Sequence, residues 1–589
     1  MGGNHRTATG SLRSTDFFAR EKGSIKKKWK NRVSIALIYP NTYALGMSNL
    51  GFQLVYQLLN QDDSIVAERF FLPDRGGKPL SVESDRPLSD FPLLFFSVSF
   101  EQDYRNLLML LEMSGIPSLA SERGLQAQKI SARRTGEFPL IVAGGVAVFM
   151  NPEPLAPFVD LFVIGEAEPI LPSLLPLLKN GLGSRQPKDE LLSHIAAEVH
   201  GCYTPSLYEV SYDAGGNFLA INPGGKFPHL PPRVRKVSLD SPGTTTSHSS
   251  ILTPLAEFSN LFMVELGRGC SRGCRFCAAG FIYRPPRLWD AKAIINAIDA
   301  KPQDCSRIGL LGMEMARAED VAMIADYLAN KSCALSFSSL RADIFNPQLI
   351  ELLCRSNLKT AAIAPDGGSE HLRRVINKGI TEEDVLTAAE ILAQTGIRNL
   401  KLYFMIGLPT ESQEDMDDMV SLILKVKKIL LDIGRLQGKL ASLTLSINCF
   451  IPKPWTPFQF HPMEGIKNLK QKYNFLRKRL SGEPNIRIKA DNPDKALFQA
   501  VLARGDRRVG HALLHTVRGN STWHQAFSRE NIAAEYYTGR QRNKDESFPW
   551  EIIDHGIKRE YLWSEYQKAL QAASTVRCDT SRCKRCGVC

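Results

Sequence analysis

The sequence predicts an α/β protein with an N-terminal doubly wound domain and a partial parallel (β/α)6 barrel, then an α-rich C-terminal extension and a Cys-rich tail. Three observations predict it. Short apolar, β-branched runs alternate with helix-spaced stretches, the pattern of parallel sheets buried on both faces. Glycine- or cysteine-bearing loops follow several of those runs, where such sheets hold ligands. A chain of 589 residues, 43% of them hydrophobic, is also too long for one ordinary core.

Residues 1–30 form a basic N-terminal tail. Lys22, Lys26, Lys27, Lys28 and Lys30, with Arg32 just beyond, read as solvated charge, although a net charge of +12 also invites an anionic partner. The doubly wound domain spans 31–200. Val33–Tyr39 is its first strand, Pro40-Asn41-Thr42 the turn and 50–59 the following helix. Runs at 91–98, 140–143 and 161–164 supply further strands, with a helix over 104–113. Gly144-Gly145 and Gly165-Glu166-Ala167-Glu168 then fall beyond strand ends, where glycine lets backbone approach a bulky ligand; paired glycines also serve as plain turns.

Residues 201–257 read as a hairpin closed at Ala214-Gly215-Gly216 and a Pro/Thr/Ser-rich linker. Six strands follow within 258–485, at 261–266, 307–311, 334–339, 360–364, 400–406 and 443–449, separated by helices; Thr381 and Asp384 have capping-box spacing. Residues 486–574 read as helical, with Arg504-Gly-Asp506-Arg507-Arg508 as a basic patch and Trp523, Trp550 and Trp563 as core, with substrate stacking as the alternative. Residues 575–589 are the Cys-rich tail.

The chemistry concentrates in Glu265-Leu-Gly-Arg-Gly-Cys270-Ser-Arg-Gly-Cys274-Arg-Phe276-Cys277. Three thiolates can hold three irons of a [4Fe–4S] cluster and leave the fourth iron open to a small molecule. A structural zinc site needs four ligands, and neither Cys nor His follows within two dozen residues. A loop with three glycines and three arginines is a poor place for inert buried thiols. Cys578, Cys583, Cys586 and Cys589, spaced x4, x2, x2, form a second group fit for another iron–sulfur cluster or for zinc. Cys202, Cys305, Cys333, Cys354 and Cys449 read as small buried hydrophobes.

Cys-x3-Cys-x-aromatic-Cys resembles the signature of the radical S-adenosylmethionine (SAM) superfamily. The resemblance implies a TIM-like partial barrel, a cluster on Cys270, Cys274 and Cys277, and SAM bound to the open iron with Phe276 near its adenine. Gly312-Met313-Glu314 stands where relatives carry Gly-Gly-Glu, so Glu314 is the expected contact of the SAM amino group. Ser369 and Glu370, after the fourth strand, and Ile406 and Gly407, at the end of the fifth, resemble segments near ribose and adenine. Helix capping is the alternative for Ser369 and Glu411. Arg341 and Asp343, just beyond the third strand, read as a surface pair, with binding of the ligand's charged groups as the alternative. Ile451-Pro-Lys453-Pro454-Trp455-Thr456-Pro457, after the sixth strand, shapes a substrate entrance or simply a rigid turn.

The upstream domain resembles that of B12-binding-domain radical SAM proteins, in an uncharacterised branch. This implies a cobalamin-binding-like domain with Gly144, Gly145, Gly165 and Glu166 as cofactor contacts. It departs from the family's better-known pattern, because residues 41–51 contain no histidine for cobalt. Either cobalamin binds without a protein imidazole, or the fold persists without the cofactor. The expected activity is reductive cleavage of SAM to a 5′-deoxyadenosyl radical, with methylation of a substrate if cobalamin is present, hence a transferase. The alternatives are a non-catalytic RNA- or protein-binding or electron-transfer protein, and a radical sulfur-insertion enzyme using the tail as donor. An electron donor such as flavodoxin or ferredoxin is implied, and RNA, a ribosome-associated or other protein, or a metabolite stays open as substrate. No apolar run reaches bilayer length, the start lacks a signal-peptide core, and the cysteines read as metal ligands, so a cytoplasmic setting is expected.

Overall fold

The computed structural model describes residues 14–74, 76–126, 139–240, 246–312, 318–329, 331, 333–337, 340–345, 350–351, 354, 358–519 and 521–589. The first sheet holds β1 (Val33–Tyr39), β2 (Ile65–Phe71), β3 (Leu93–Ser97), β4 (Leu140–Gly144), β5 (Leu161–Val163) and β6 (Cys202–Tyr203). Its order is β2-β1-β3-β4-β5-β6, parallel except for β6. The crevice between β1 and β3 is therefore the point where strand order reverses, and ligands in such sheets bind there.

The sequence reading missed β2 because Glu68 and Arg69 interrupt its apolar run. Both are buried. Arg69 is matched by Glu21 at 2.6 Å and Glu83 at 2.7 Å, and its guanidinium lies 4.7 Å from the Tyr56 ring centroid. Burying such a charge requires partners of this kind. Glu21 belongs to the expected solvated tail, which is thus part of the fold over its described residues. Lys27 likewise donates to the carbonyls of Asn60, Asp62 and Ile65.

β7 (Tyr208–Tyr212) and β8 (Phe218–Pro223) make the expected hairpin. The following stretch is more than a linker, since β9 (Val234–Arg235) pairs with β19 (Ile553–Asp554) near the far end of the chain. Val237 then bridges to Gly165.

The second domain carries β10 (Phe262–Glu265), a small ribbon of β11 (Gly267–Arg268) and β12 (Arg287–Leu288), β13 (Arg307–Leu311) and β14 (Ala334–Phe337). It continues with β15 (Thr360–Asp366), β16 (Asn399–Ile406), β17 (Ser442–Cys449) and β18 (Ile486–Ala490). β10-β13-β14 and β15-β16-β17-β18 are parallel, and a parallel bridge from Leu340 to Ile363 joins the two runs. The expected helical run from Ile486 begins instead with a seventh strand. Arg487 and Lys489 on this solvent-facing edge strand disguise it.

Alternation in β16 and β17 separates the two faces of this sheet. Leu400, Leu402, Phe404 and Ile406, with Leu443, Leu445, Ile447 and Cys449, are buried in one core with helices Glu382–Gln394 and Gln413–Leu436. Lys401, Tyr403, Met405, Thr444, Ser446 and Asn448 lie on the opposite, half-buried face. The partial barrel therefore leaves its concave side lined by polar and small groups.

The C-terminal extension packs into the same core as the first domain, where Val509, Leu513 and Trp550 join Leu107 and Phe158. The expected basic patch is an internal charge network. Arg504 is fully buried and donates to the carbonyls of His461 and Gln459, Arg507 pairs with Glu153, and Arg508 pairs with Asp506. Trp550 is buried as expected, whereas Trp523 and Trp563 pack against the core partly exposed. Cys202, Cys305 and Cys449 are buried as expected; Cys333 is half-buried and Cys354 is exposed.

Candidate cluster and cofactor site

The cysteine loop leaves β11 and enters the short helix Ala278–Ile282. Its two turns need glycine. Gly269 has φ +88°, and a Cβ there would meet the Tyr283 carbonyl oxygen at 2.4 Å; Gly273 has φ +76°. Backbone bonds then close the last turn, Cys277 N–H to the Cys274 carbonyl (3.1 Å) and Gly280 N–H to the Cys277 carbonyl (3.0 Å). Arg272 N–H points at Cys270 Sγ at 3.5 Å.

Burial pushes the Cys277 thiol up to about 12, and the neighbouring Cys274 and Cys270 add to the effect. Three thiols gathered this closely suit iron, since coordination deprotonates a thiol outright. The nearby cations are Lys378 and Arg341. Lys378 Nζ stands 5.9 Å from the Phe276 ring centroid and pairs with Asp366, while Arg341 and Arg272 both pair with Asp343, at 2.9 and 2.8 Å. The expected Arg341–Asp343 pair is thus present, and it is tied to the cysteine loop. Among the described residues no group of three or more His, Cys, Asp or Glu side chains surrounds a single metal-ion position. The thiolates of a cubane cluster each bind a different iron and need no such common point.

Arg275, fully buried, anchors the loop from behind. It donates to the carbonyls of Arg374, Val375 and Ala573, and pairs with Glu565 at 3.2 Å. Asn377 donates to the Gly273 carbonyl and accepts from Thr575 N–H. Sequence reasoning missed this anchoring. An arginine inside the motif is visible, but its partners lie 99 to 300 residues away.

Other strand ends are committed differently. Ser369 caps helix Glu370–Val375, the role the sequence also allowed for it, and bonds Asp415, while the exposed Glu370 accepts from Glu382 N–H. Ile406 is buried; Gly407, at φ +81°, donates its N–H to Glu411 Oε2 at 2.7 Å, and Glu411 also pairs with Lys472. Gly312 directly follows β13, while Glu314 lies outside the described residues.

A cavity of about 430 Å³ joins the two domains. Leu37, Phe96, Ser97, Gly144, Gly145 and Val163 line it from the first sheet, and Glu265, Gly267, Leu311 and Gly312 from the barrel. Two of its glycines have a structural reason of their own. A Cβ at Gly145 (φ +108°) would meet the Val98 carbonyl oxygen at 2.5 Å, and one at Gly165 (φ +139°) the Val237 carbonyl oxygen at 2.2 Å. Glu166 is likewise spent on protein contacts. It accepts from Arg268 at 2.9 Å, from Arg287 and from Leu239 N–H, and these partners outweigh burial to hold its carboxyl below the usual range. Arg268, two residues before Cys270, also meets Glu168 and Glu265. This clamp ties the first domain to the start of the cysteine loop.

Residues 264–423 match the family model of the radical SAM superfamily, and residues 51–205 match that of the N-terminal region of radical SAM proteins. The chain belongs to the radical SAM superfamily and is an enzyme. The cofactors of that family are a [4Fe–4S] cluster and SAM. The chain is similar to uncharacterized protein MJ0966 of Methanocaldococcus jannaschii, 27% identical over 87% of this chain and 97% of that protein. It is also similar to two solved structures. One is the cobalamin-dependent SAM radical enzyme OxsB with aqua-cobalamin bound (15% identity, TM-score 0.43), where 66% of this chain covers about half, 52%, of that one. The other is the radical SAM methyltransferase TsrM of Kitasatospora setae with cobalamin and a [4Fe–4S] cluster (12% identity, TM-score 0.43, 85% and 98% covered). Among the described residues, no helix is long and apolar enough to cross a membrane.

Proposed function

We propose that this enzyme cleaves SAM reductively at the Cys270/Cys274/Cys277 loop and methylates its substrate with the help of a cobalamin seated in the interdomain cavity. The observation that carries the second half is that one cavity touches both the strand ends of the doubly wound sheet and Leu311 and Gly312 of the barrel. A cofactor held there would lie beside Gly267 and Arg268, the residues that lead into the cysteine loop. When bound, the cluster supplies the electron for SAM cleavage and the cobalamin supplies a methyl group.

The residues would fit a corrinoid held by apolar contact rather than by a histidine of the described lining. Among the described residues the lining contains no histidine, cysteine or methionine, and it pairs apolar walls (Leu50, Leu54, Phe96, Val146, Phe149) with Ser97 as a polar group. On the barrel side, Phe276 and Gly312 would contact SAM, and Lys378 and Arg341, the cations near the thiols, would offset the negative charge of a bound cluster. Glu314 is retained as the contact of the SAM amino group, and Ile406 and Gly407 as adenine-side contacts. Tyr403, Ser446 and Asn448, on the half-buried face of the barrel, would supply hydrogen bonds that orient the substrate.

Anaerobically reconstituted protein incubated with hydroxocobalamin and desalted tests the reading. The expected result is about one corrinoid retained per chain by the wild type and a loss of at least tenfold in affinity for Val146→Trp, which fills the cavity. Retention unchanged by Val146→Trp, or none in the wild type, overturns the cobalamin half. Formation of 5′-deoxyadenosine from SAM, abolished in C270A/C274A/C277A, tests the radical half separately.

A further inference from the structure

The Cys-rich tail is docked against the cysteine loop. Cys578 N–H donates to the Ser271 carbonyl at 2.8 Å, and Ser271 is bonded directly to Cys270. Arg577 Nε donates to Ser271 Oγ, and Thr575 reaches Asn377, which holds Gly273.

The four tail thiols also face one another. Cys578 interacts with Cys583, and Cys589 with Cys583 and Cys586. None is in a disulfide, and Cys586 is buried. The backbone is shaped around them: Cys583 N–H donates to the Asp579 carbonyl at 2.7 Å, the Cys586 carbonyl accepts from Lys558 N–H at 2.8 Å, and Gly587 adopts φ +91°.

Arg284 stands between the two cysteine groups. It is 5% exposed, donates to the Gly280 carbonyl next to the triad and to Tyr561 Oη, and interacts with Cys586. A cation buried there offsets negative charge on both sides. Facing outward, Arg577, Arg582, Lys584 and Arg585 are exposed around a single exposed acid, Asp579.

We propose that Cys578, Cys583, Cys586 and Cys589 hold a second iron–sulfur cluster, and that this tail is where an electron enters on its way to the Cys270/Cys274/Cys277 cluster. Four thiolates complete such a cluster with no open iron, which suits electron transfer rather than substrate binding. The hydrogen bond from Cys578 to Ser271 gives a short bonded path to Cys270. The exposed cations fit an acidic one-electron carrier of the flavodoxin or ferredoxin class. One electron leaves that carrier, reduces the tail cluster and passes on to the triad cluster, with no atom transferred. The relay rests on the radical SAM reading, while the tail cluster itself does not.

The test uses the full chain, reconstituted anaerobically with iron and sulfide. The wild type should hold about eight irons and eight sulfides, and C270A/C274A/C277A and C583S/C589S about four of each. A triad variant without iron and sulfide, or one holding a single zinc, overturns the tail cluster. For the relay, the triad-cluster electron paramagnetic resonance signal of C583S/C589S should form normally with dithionite but at least tenfold more slowly with reduced flavodoxin. Equal rates with flavodoxin in variant and wild type overturn the relay and leave the tail cluster standing.

Discussion

The carboxyl edge of the first sheet and that of the barrel both end in glycine, carboxylate and arginine, yet they spend them differently. At the first, Gly145 and Gly165 admit neighbouring backbone, and Glu166 neutralises Arg268 and Arg287. At the second, glycines shape the Cys270–Cys277 turns, and the arginines and Asn377 hold those turns from outside, leaving the thiols to metal. A polar residue at a strand end therefore signals ligand chemistry only when its hydrogen-bonding capacity is not already consumed. The first edge provides a cavity; the second provides reactive groups.

The largest expected effect concerns the anchoring of the second edge. Arg275→Ala takes a donor from the carbonyls of Arg374, Val375 and Ala573, leaves the buried Glu565 with Lys568 and Thr575 alone, and should cost about 3–5 kcal/mol, read as a lowered denaturation midpoint. A change below about 1 kcal/mol would mean that the loop does not depend on the tail and helix behind it.

At the first edge, Gly165→Ala combines a positive φ with a clash against backbone and should cost about 3 kcal/mol or more. Gly144→Ala, whose Cβ would meet nothing closer than 3.4 Å, should cost less than about 1 kcal/mol in the same assay. Equal costs at the two positions would remove the distinction between a structural glycine and a cavity-lining one.

Asp103, also at the first edge, gives a pH signature. Burial raises its carboxyl to about 6 despite a hydrogen bond from Asn41 at 2.7 Å. The folded chain thus binds this proton more tightly than the unfolded chain. Stability should fall as pH rises from about 4 to 6, by roughly 3 kcal/mol, and stay reduced above that. Asp103→Asn should remove that slope. Identical pH profiles for wild type and variant would contradict the assignment.

Much of this was legible in sequence wherever one physical signal dominated. The apolar runs gave β1, β3, β4 and β5, where parallel strands buried on both faces leave a nearly unbroken hydrophobic record, and six of the barrel strands, where apolar residues recur on the helix-facing side. β2 and β18 were hidden by buried and edge charges respectively. The cysteine loop was legible because metal ligation fixes residue type and spacing together. Its support was not: Arg275 and Glu565 are 290 residues apart, and pairs made by tertiary folding leave no local periodicity. The half-buried face carrying Tyr403, Ser446 and Asn448 had a signal, polar residues alternating within apolar runs, that was read only as strand.

Adding SAM to the full-length protein with its triad cluster reduced, and recording the electron paramagnetic resonance spectrum, tests the central claim most directly. SAM binding at an open iron held by Cys270, Cys274 and Cys277 predicts a changed cluster signal in wild type and in C583S/C589S, and no triad signal in C270A/C274A/C277A. A wild-type spectrum unchanged by saturating SAM, from protein with a full iron complement, would contradict it.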